Sequence, residues 1–327
     1  MYKIKVKIGE IFAKEWGKRL ILLFFLILMI IFFSINADKF LSIKNWELLV
    51  VNLTPVGIIA VGMTFLLISG EIDLSVGANL GLSSVIVASL YNNGVNTWIC
   101  IIAVLIVGLF IGIVNGLIVV KIGVNSFIGT IGTMSIISGV AYVITNGLAI
   151  PMFSDKIDAL TFLGLGTFFN IKFPIVILII FYLFSGIVLR YTLFGRRVYQ
   201  TGANEFVSRV FGIKVKKIKY INYMFCGITA SFSGLIVSSL TGVGMAQHGS
   251  FTFMLGIISS VLLGGIALGG GKGSILGTFI GVFIVKVIYN GMVLLNTPYY
   301  YVQITGGAIL LIAIMIYGTK TGSIFER

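Results

Sequence analysis

Long apolar runs, separated by short polar or glycine-rich segments, recur along nearly the whole chain. They are about 17 to 24 residues long. A helix of that length, rising about 1.5 Å per residue, crosses a hydrocarbon core of roughly 30 Å. The runs do not alternate between apolar and polar residues, as the strands of a membrane barrel do. The pattern therefore predicts an all-α fold, a polytopic bundle of transmembrane helices.

The runs predict about ten spans. The first is too long for the apolar region of a signal peptide, so we expect it to be retained. The longest segment between spans, 190–219, is too short to be a soluble domain. We therefore interpret residues 1–327 as a single transmembrane domain with a basic tail at 1–19. The predicted spans are 20–36, 46–69, 74–91, 98–120, 126–147, 173–189, 220–241, 251–268, 274–296 and 300–318.

The overall composition agrees with this interpretation. Hydrophobic residues make up 58% of the chain and charged residues 10%, and the mean hydropathy is +1.12. This balance excludes an ordinary soluble domain. The two cysteines, Cys100 and Cys226, both fall inside predicted spans without metal-ligand spacing. They predict neither a disulfide framework nor a metal site, and we expect them to pack in the core.

The positions of the charged residues, more than the net charge of +13, indicate how the chain is oriented in the membrane. In a ten-span bundle, 18 of the 23 basic residues lie on one side: six in 1–19, eight in 190–219, and Lys121, Lys272, Lys320 and Arg327. Basic residues concentrate in the cytoplasmic loops of membrane proteins. We therefore expect both termini and 190–219 to be cytoplasmic, and we interpret the basic excess as a signal for topology and lipid head groups rather than for nucleic acid.

Two segments in the two halves of the chain resemble each other. Residues 108–127 and 277–300 share regularly spaced small residues and an Asn-Gly pair. They fall in the fourth and ninth spans, and an offset of five spans reverses the direction through the membrane. We therefore expect an inverted repeat of five plus five spans, an architecture in which transporters bind substrate between the repeats. The asparagines of the two pairs, Asn115 and Asn290, are candidates for the translocation path.

Glycines spaced four apart occur in the same two segments. The first set is Gly108, Gly112 and Gly116, and the second begins at Gly273. Small residues on one helix face let neighbouring helices approach closely. We expect tight packing at both.

Two carboxylates, Glu71 and Asp73, stand in SGEIDLSVGA (69–78) between two uncharged apolar runs. A carboxylate at membrane depth costs roughly 3 kcal/mol on insertion scales, and so needs a partner or water. Asp73 precedes the third span, where its carboxylate can cap the first free N–H groups and face the positive end of the helix dipole. Glu71 can line the path, hydrogen-bond a neighbouring span or reach cytoplasmic water, and we favour water.

Three further features were tested for chemistry. The run LGGGKGS (268–274) lacks the spacing of a phosphate-binding loop, so Lys272 is interpreted as part of a tight turn. His248 is the only histidine, and we expect it in an extracytoplasmic loop. Lys286 lies about twelve residues from either end of its span. It cannot easily reach a head group, so we expect it to face the bundle interior, as a further path candidate.

The segment ANEFVSRVFGI (203–213) predicts a short helix within the cytoplasmic loop. Asn204 is a suitable N-cap and Gly212 a suitable stop. Between them lie an apolar stripe and an ion pair at i,i+4 spacing. A helix of two turns is not stable alone, so the stripe needs a groove on this bundle or on a partner. The stripe is Phe206, Val207, Val210 and Phe211, and the ion pair is Glu205 with Arg209.

These motifs, in this order, resemble the permease subunits of bacterial ABC importers, in the simple-sugar branch that includes ribose, xylose and arabinose systems. The resemblance covers about 46–318. It rests on SGEIDLSVGA and on the segments 115–147, 193–213 and 262–281.

The resemblance implies a multi-pass protein of the bacterial cytoplasmic membrane that is a transport subunit and not an enzyme. It implies a pore formed with a second permease copy or a paralogue, and a sugar, such as the pentose ribose, delivered by an extracytoplasmic binding protein. Separate cytoplasmic ATPase subunits would bind ATP and Mg²⁺, so no cofactor is expected in this chain. Residues 204–212 look like the coupling helix that docks on the ATPase.

Two departures from the family pattern affect these expectations. Many members carry Glu-Leu-Asp where Met254, Leu255 and Gly256 stand here, and two alanines in place of Phe206 and Val207. The first weakens an assignment to ribose and fits pairing with a non-identical permease. The second implies a matched ATPase.

Two other classes of function remain open from the residues. A secondary transporter would use an ion gradient through Glu71, Asp73 or Lys286. An intramembrane enzyme is disfavoured by the single histidine and by the absence of an HExxH motif. Within ATP-driven import, another pentose, a hexose, a furanosyl signalling molecule or a nucleoside are alternatives to ribose.

Overall fold

The computed structural model describes residues 15–152 and 158–318. Within these ranges the chain is almost entirely helical. The helices are α1 (Glu15–Asn36), α2 (Ile43–Ile68), α3 (Val76–Asn92), α4 (Thr97–Gly116), α5 (Ser126–Thr145), α6 (Ala159–Leu165), α7 (Phe173–Tyr191), α8 (Leu193–Ala203), α9 (Glu205–Val210), α10 (Val215–Thr241), α11 (Phe251–Leu263), α12 (Ile275–Leu294) and α13 (Tyr299–Gly318). A π-helical extension, Leu117–Ile122, continues α4, and a 3₁₀ turn, Ala246–Gly249, precedes α11.

Four strands of two residues each supplement the helices. β1 (Ile150–Pro151) pairs antiparallel with β4 (Val243–Gly244), and β2 (Thr167–Phe168) pairs with β3 (Ile171–Lys172). The first pair joins the two halves of the chain, and the second forms a small hairpin before α7. Neither pair changes the all-α character of the fold.

Seven helical segments of the described ranges are long and apolar enough to cross a membrane. They are Ile43–Ile68, Thr97–Ile122, Ser126–Thr145, Phe173–Tyr191, Val215–Thr241, Ala246–Leu263 and Ile275–Leu294. Shorter apolar helices are found at Leu22–Asn36, Val76–Asn92 and Tyr299–Met315. These segments confirm the prediction of a polytopic helical membrane protein.

Helix α2 lies at the centre of the bundle. From Leu53 to Ile68 every residue of α2 is buried. A helix that is apolar on all sides is stable only when other helices surround it. Here α7, α10 and α12 pack around it. By contrast, α4, α5 and α7 expose most of their apolar side chains, as expected of a surface that lipid or another subunit covers.

Glycines bring α4 and α10 into backbone contact. A Cβ atom added to Gly108 would lie 2.5 Å from the carbonyl oxygen of Gly227, and one added to Gly112 would lie 2.5 Å from that of Tyr223. In the second set, a Cβ on Gly277 would collide with the carbonyl oxygen of Gly264. Both glycine sets therefore act as contact surfaces, which confirms the packing interpretation. Both cysteines are buried, as predicted.

The two short helices α3 and α11 begin next to each other. Any side chain at Gly249, just before α11, would collide with the carbonyl oxygen of Gly77 in the first turn of α3. One turn later, Gly81 packs against Ala246. Segment 243–249 therefore runs beside α3. The interior of the bundle thus contains two helix starts rather than two uninterrupted helices.

One predicted span boundary was wrong, and the structure adds a helix to the predicted loop. Helix α1 begins at Glu15, inside the tail predicted at 1–19, and 1–14 and 319–327 lie outside the described residues. The eighth span ends at Leu263 rather than 268, because Gly264 and Gly265 form a turn there. The loop 190–219 is mostly helical. It contains the unpredicted helix α8, whose N-cap Thr192 accepts a hydrogen bond from the N–H of Gly195 at 3.1 Å.

Candidate functional site

A buried hydrogen-bond cluster occupies the junction between α2 and α3. The carboxylate of Asp73, 1% exposed, accepts from the backbone N–H of Ser75 at 2.8 Å and from its hydroxyl at 2.6 Å. The side-chain amide of Asn115, on α4, donates to Asp73 Oδ2 at 3.0 Å and to Ser75 Oγ at 2.8 Å. The cluster therefore ties the start of α3 to the middle of the bundle.

The predicted role of Asp73 as N-cap of this helix was wrong in its register. Helix α3 begins at Val76, and Ser75 occupies the cap position without a capping side-chain bond. Asp73 accepts from the N–H and the hydroxyl of Ser75, so these bonds end at the cap position instead of inside the helix. Its third bond, from Asn115, reaches a different helix, which no local capping rule predicts.

Thr130 on α5 extends the same cluster. Its hydroxyl accepts from the backbone N–H of Leu74 at 3.0 Å, and the hydroxyl of Tyr223, on α10, donates to the carbonyl of Ile72 at 3.2 Å. The junction is therefore held from three neighbouring helices. One acceptor, Asn115 Oδ1, is buried and has no hydrogen-bond partner among the described residues.

Glu71 is paired with a lysine of α10 rather than with water. Lys219 Nζ lies 2.7 Å from Glu71 Oε1 and 2.8 Å from Glu205 Oε2. The side chains of Glu71 and Lys219 are each 12% exposed. The favoured interpretation of Glu71 as solvated was therefore wrong, and the alternative of a bond to a neighbouring span is the one observed. We call Glu71, Lys219 and Glu205 the charge bridge.

The predicted short helix exists as α9. Asn204 is its N-cap and accepts from the N–H of Val207 at 3.0 Å. Gly212 follows the helix with a φ of +76°, the left-handed conformation that glycine adopts at a helix stop. Ser208 is buried and donates to the carbonyl of Gln200 at 2.8 Å, which fixes α9 against α8.

The apolar side of α9 points away from the bundle. Phe206 is 76% exposed, Phe211 80%, Val210 69% and Val207 43%. The polar side carries Glu205, which pairs with both Lys219 and Arg209. One face of this small helix is thus anchored in the charge bridge, and the other is an exposed apolar surface.

The electrostatics of Glu205 follow from this arrangement. Partial burial by itself would raise the pKa of Glu205. The hydrogen bonds and positive charges of Lys219 and then Arg209 outweigh burial and hold the pKa below its ordinary value. The carboxylate is therefore ionised at neutral pH, and the charge bridge consists of two anions around one cation.

A glycine turn joins the same region. Gly270 and Gly271, beside Lys272, have φ values of +78° and +72°, so the turn predicted for LGGGKGS is confirmed. The N–H of Gly271 donates to the carbonyl of Ile68, at the end of α2, at 2.8 Å. Gly202 of α8 packs between these backbones. The turn thus locks α8 against the end of α2.

A cavity of about 410 Å³ borders the α2–α3 junction. It lies among α5, α11 and α13, and its walls are almost entirely apolar. Among its lining residues Glu71 is the ionisable one and Ser126 the remaining polar side chain. Met254 and Leu255, the positions where the family pattern often has Glu-Leu, form part of the opposite wall.

Two predicted path residues lie elsewhere. Lys286 lines a separate cavity of about 220 Å³ with Asn52, Thr241 and Phe253. Asn290 exchanges two hydrogen bonds with Asn45, at 2.9 and 3.0 Å, which joins α12 to α2. The structure therefore brings Glu71, Asp73 and Asn115 to one junction and leaves Lys286 and Asn290 apart from it.

Sequence reasoning missed Lys219, Ser75 and Thr130. Lys219 was counted only as one of eight basic residues of a loop. A signal was available, because a carboxylate beside an apolar run requires a partner and Lys219 directly precedes the predicted seventh span. Ser75 and Thr130 carry no comparable signal, since single hydroxyls are common in membrane helices.

The chain matches the profile of a family described as the permease component of branched-chain amino acid transport systems, over residues 46–314. This match covers most of the chain, including the whole junction, the charge bridge and α9. The chain belongs to this permease family. It is therefore a transport subunit and not an enzyme, and a multi-pass protein of the cytoplasmic membrane.

Several named relatives are similar over nearly their full length. The ribose import permease protein RbsC of Escherichia coli K12 is 35% identical over 311 residues, 94% of this chain and 96% of the relative. RbsC of Bacillus subtilis is 35% identical, with 90% and 91% covered. The L-arabinose ABC transporter permease protein AraH of Azospirillum brasilense is 32% identical, with 86% and 82% covered. No solved structure matches the chain.

Proposed function

We propose that this permease is the membrane subunit of an ATP-driven importer of a sugar, with a pentose such as ribose as the substrate. Relatives named for ribose and arabinose transport support the sugar class. The observation that carries the ATP-driven part is α9, an exposed apolar helix whose polar face is bonded through Lys219 to the α2–α3 junction. An ion-driven carrier needs no docking element for an ATPase, so this helix favours the ATP-driven class.

The proposal includes the partners that such an importer requires. ATPase subunits carrying ATP and Mg²⁺ bind α9, and an extracytoplasmic binding protein delivers the sugar. A second permease copy or a paralogue completes the pore. Lipid surrounds the bundle, and nucleic acid has no part.

We further propose ten spans with both termini and 190–219 in the cytoplasm. The seven long segments and three shorter helices support this number. An inverted repeat of five plus five spans is supported by packing: α5 packs on α3, and α13 packs correspondingly on α11. The adjacent starts of α3 and α11 also fit two half-repeats that meet inside the membrane.

In the proposed mechanism, movement of the docked α9 reaches the translocation path through the charge bridge. Lys219 joins Glu205 on α9 to Glu71 at the junction. Glu71 borders the cavity, and Asp73 with Asn115 carries the movement into α3 and α4. On this account Glu71, Asp73 and Asn115 belong to the gate, whereas Lys286 and Asn290 act in packing elsewhere.

Topology can be tested with single cysteines and an impermeant thiol reagent on intact cells. Lys214→Cys should resist labelling and Asn93→Cys should react, because both side chains are exposed and lie on opposite sides. Gly202 is unsuitable for a cysteine, since a side chain there would collide with the carbonyl oxygen of Ile68. Ready labelling of Lys214→Cys would contradict the orientation.

Energy coupling is tested in proteoliposomes. The permease reconstituted with its ATPase and supplied with the extracytoplasmic binding protein should accumulate sugar only when ATP is present on the ATPase side. The permease alone, with an imposed ion gradient, should not accumulate sugar. Gradient-driven uptake without ATPase would support the secondary-transporter alternative instead.

A further inference from the structure

A long apolar groove runs along the outer face of α7. It encloses about 990 Å³ and follows α7 from Ile175 to Tyr191, with α12 forming the opposite wall. Its walls are largely aliphatic and aromatic. No described residue along it is acidic. This groove lies apart from the cavity beside Glu71, since the two share no lining residue.

One end of the groove is cationic. Arg190, at the end of α7, and Arg196, on α8, both line this end and are exposed. Tyr191 lies beside them, with its ring 5.4 Å from the guanidinium carbon of Arg190. The other end contains only apolar residues such as Ile175 and Val50. The groove is therefore amphipathic along its length, with its charge at the α7–α8 corner.

We propose that this groove binds one anionic phospholipid of the cytoplasmic leaflet, with its phosphate between Arg190 and Arg196 and its acyl chains along α7. The proposal rests on the orientation given above, in which the α7–α8 corner is cytoplasmic. Anionic lipids are attracted to basic residues at that surface, and basic pockets between helices bind their head groups. Guanidinium groups suit this role because they bind phosphate oxygens in a bidentate fashion.

The charge of the N-terminal segment argues against its binding in this groove. The segment 1–14 lies outside the described residues and contains four lysines and one glutamate. A basic segment would be repelled by the arginine pair. An anionic lipid combines the two properties that the groove requires, a negative head and an apolar body.

Gly186 gives a direct way to block the groove. It lines the wall one turn before Arg190, and a Cβ atom added there would meet nothing within 4 Å. A leucine at this position therefore fills the groove without displacing the protein. It also favours the helix, because glycine is a poor helix former.

The test is native mass spectrometry of the full-length chain, purified with any subunits that co-purify. Phosphatidylglycerol and phosphatidylcholine are added in equal amounts, and inorganic phosphate is added in a separate sample. We expect one tightly retained phosphatidylglycerol that phosphate does not displace. The double variant Arg190→Gln/Arg196→Gln should weaken its retention about thirtyfold, the effect of two basic residues at an anionic surface.

Matched controls separate the site from general adhesion. Arg197→Gln removes an exposed charge adjacent to Arg196 but outside the groove and should retain the lipid. Gly186→Leu should lose it, whereas Gly139→Leu, at another open glycine position, should not. Equal retention of the two lipids, or normal retention by Gly186→Leu, would overturn the proposal. Either result leaves the ATPase and uptake experiments unaffected, so failure here is distinguishable from failure of the proposed function.

Discussion

The segments that lead into the two short helices differ in chemistry. Two carboxylates make the contacts at 69–75, before α3. Glu71 forms an ion pair with Lys219, and the buried Asp73 accepts hydrogen bonds from Ser75 and Asn115. At 242–250, before α11, the contacts are neutral. If the halves are inverted repeats, these segments are counterparts, and charge has been placed on only one of them.

The contacts of the neutral segment 242–250 converge on Ser84, which lies on α3. Its hydroxyl lies 2.9 Å from His248 Nδ1 and accepts from the backbone N–H of Met245 at 3.2 Å and from Ser238 Oγ at 2.8 Å. Pairing of β1 with β4 adds backbone bonds. These neutral contacts hold the connection before α11 against α3. The ionic contacts at 69–75 instead reach out to α9, a helix whose other face is exposed.

The difference indicates how a bundle with two such segments can respond at one of them. Removing one partner of a buried ion pair costs about 3 kcal/mol or more, whereas a neutral hydrogen bond contributes about 1 kcal/mol. We therefore expect a displacement of α9 to act strongly on the 69–75 junction and weakly on 242–250. We expect substitutions at the two segments to differ accordingly.

The largest effect is expected for Lys219→Met. This change leaves Glu71 and Glu205 without their shared cation, and the free energy of unfolding should fall by about 3 kcal/mol. Uptake should be lost. Thermal unfolding of the purified protein and uptake into vesicles measure the two effects.

Lys217→Met is the control, because Lys217 is exposed two residues away. Adding Glu71→Gln to Lys219→Met should recover part of the lost stability. If the single and double variants are equally unstable, Glu71 and Lys219 are not energetically coupled. The two segments would then not differ through an ion pair.

The next largest effect is expected at the exposed face of α9. Phe206→Ala and Phe211→Ala should each weaken ATPase binding by about thirtyfold, because a buried aromatic anchor contributes roughly 2 kcal/mol at an interface. ATPase co-purification and uptake provide the measurement.

Folding of these two variants should be unchanged, since both side chains are exposed in the single chain. Glu205→Ala is not a neutral control, because Glu205 bonds Lys219. Lys216→Ala, an exposed substitution outside α9, serves instead. Wild-type ATPase retention by both Phe variants would exclude α9 as the docking helix.

An intermediate effect is expected for Asp73→Asn. Asparagine also caps helices, so a capping role alone predicts a tolerated change, but the structure gives the opposite expectation. An asparagine amide would face the donating amide of Asn115, and the lost bond should destabilise the protein by about 1 to 3 kcal/mol. The double variant Asp73→Asn/Asn115→Asp exchanges the donor and the acceptor, so a hydrogen bond between positions 73 and 115 can form again. Its thermal stability should therefore be higher than that of Asp73→Asn. No recovery would mean that the contact with Asn115 does not determine the role of Asp73.

The smallest effect on coupling is expected for Ser84→Ala, which removes the partner of the neutral segment on α3. The change removes three hydrogen bonds. It should lower the free energy of unfolding by about 1 to 3 kcal/mol and leave the amount of sugar imported per ATP hydrolysed unchanged. Uptake and ATP hydrolysis are measured together in proteoliposomes. A fall in this ratio would show that the two segments do not differ in coupling.

The sequence predicted those features whose signals are local. Helix α9 was predicted because Asn204, Gly212 and the apolar stripe lie within nine residues of one another. The spans were predicted because membrane thickness imposes a length on each apolar run. The start of α8 was not predicted, because RYTLFGRRVY (190–199) has the composition of a charged loop. Only the structure shows that Thr192 is the N-cap of a helix.

Long-range contacts could not be predicted in the same way. Glu71 and Lys219 are separated by 148 residues, and only the packing of α10 against α2 brings them together. Asn115 was selected for its place in a repeat, and its bond to Asp73 depends on how α4 is rotated. Asn290, selected on the same grounds, instead pairs with Asn45. The sequence pattern identifies which residues of a membrane segment are polar, but the rotation of each helix determines which partners they bond.

The central claim is that the charge bridge transmits the movement of α9 to the 69–75 junction. It is tested most directly by Glu71→Gln in the reconstituted permease and ATPase complex. This variant keeps the shape of the side chain and leaves the bond between Lys219 and Glu205 in place. We predict near-normal ATPase binding and ATP hydrolysis, with sugar imported per ATP reduced about tenfold or more. An unchanged ratio of sugar imported to ATP hydrolysed would contradict the account.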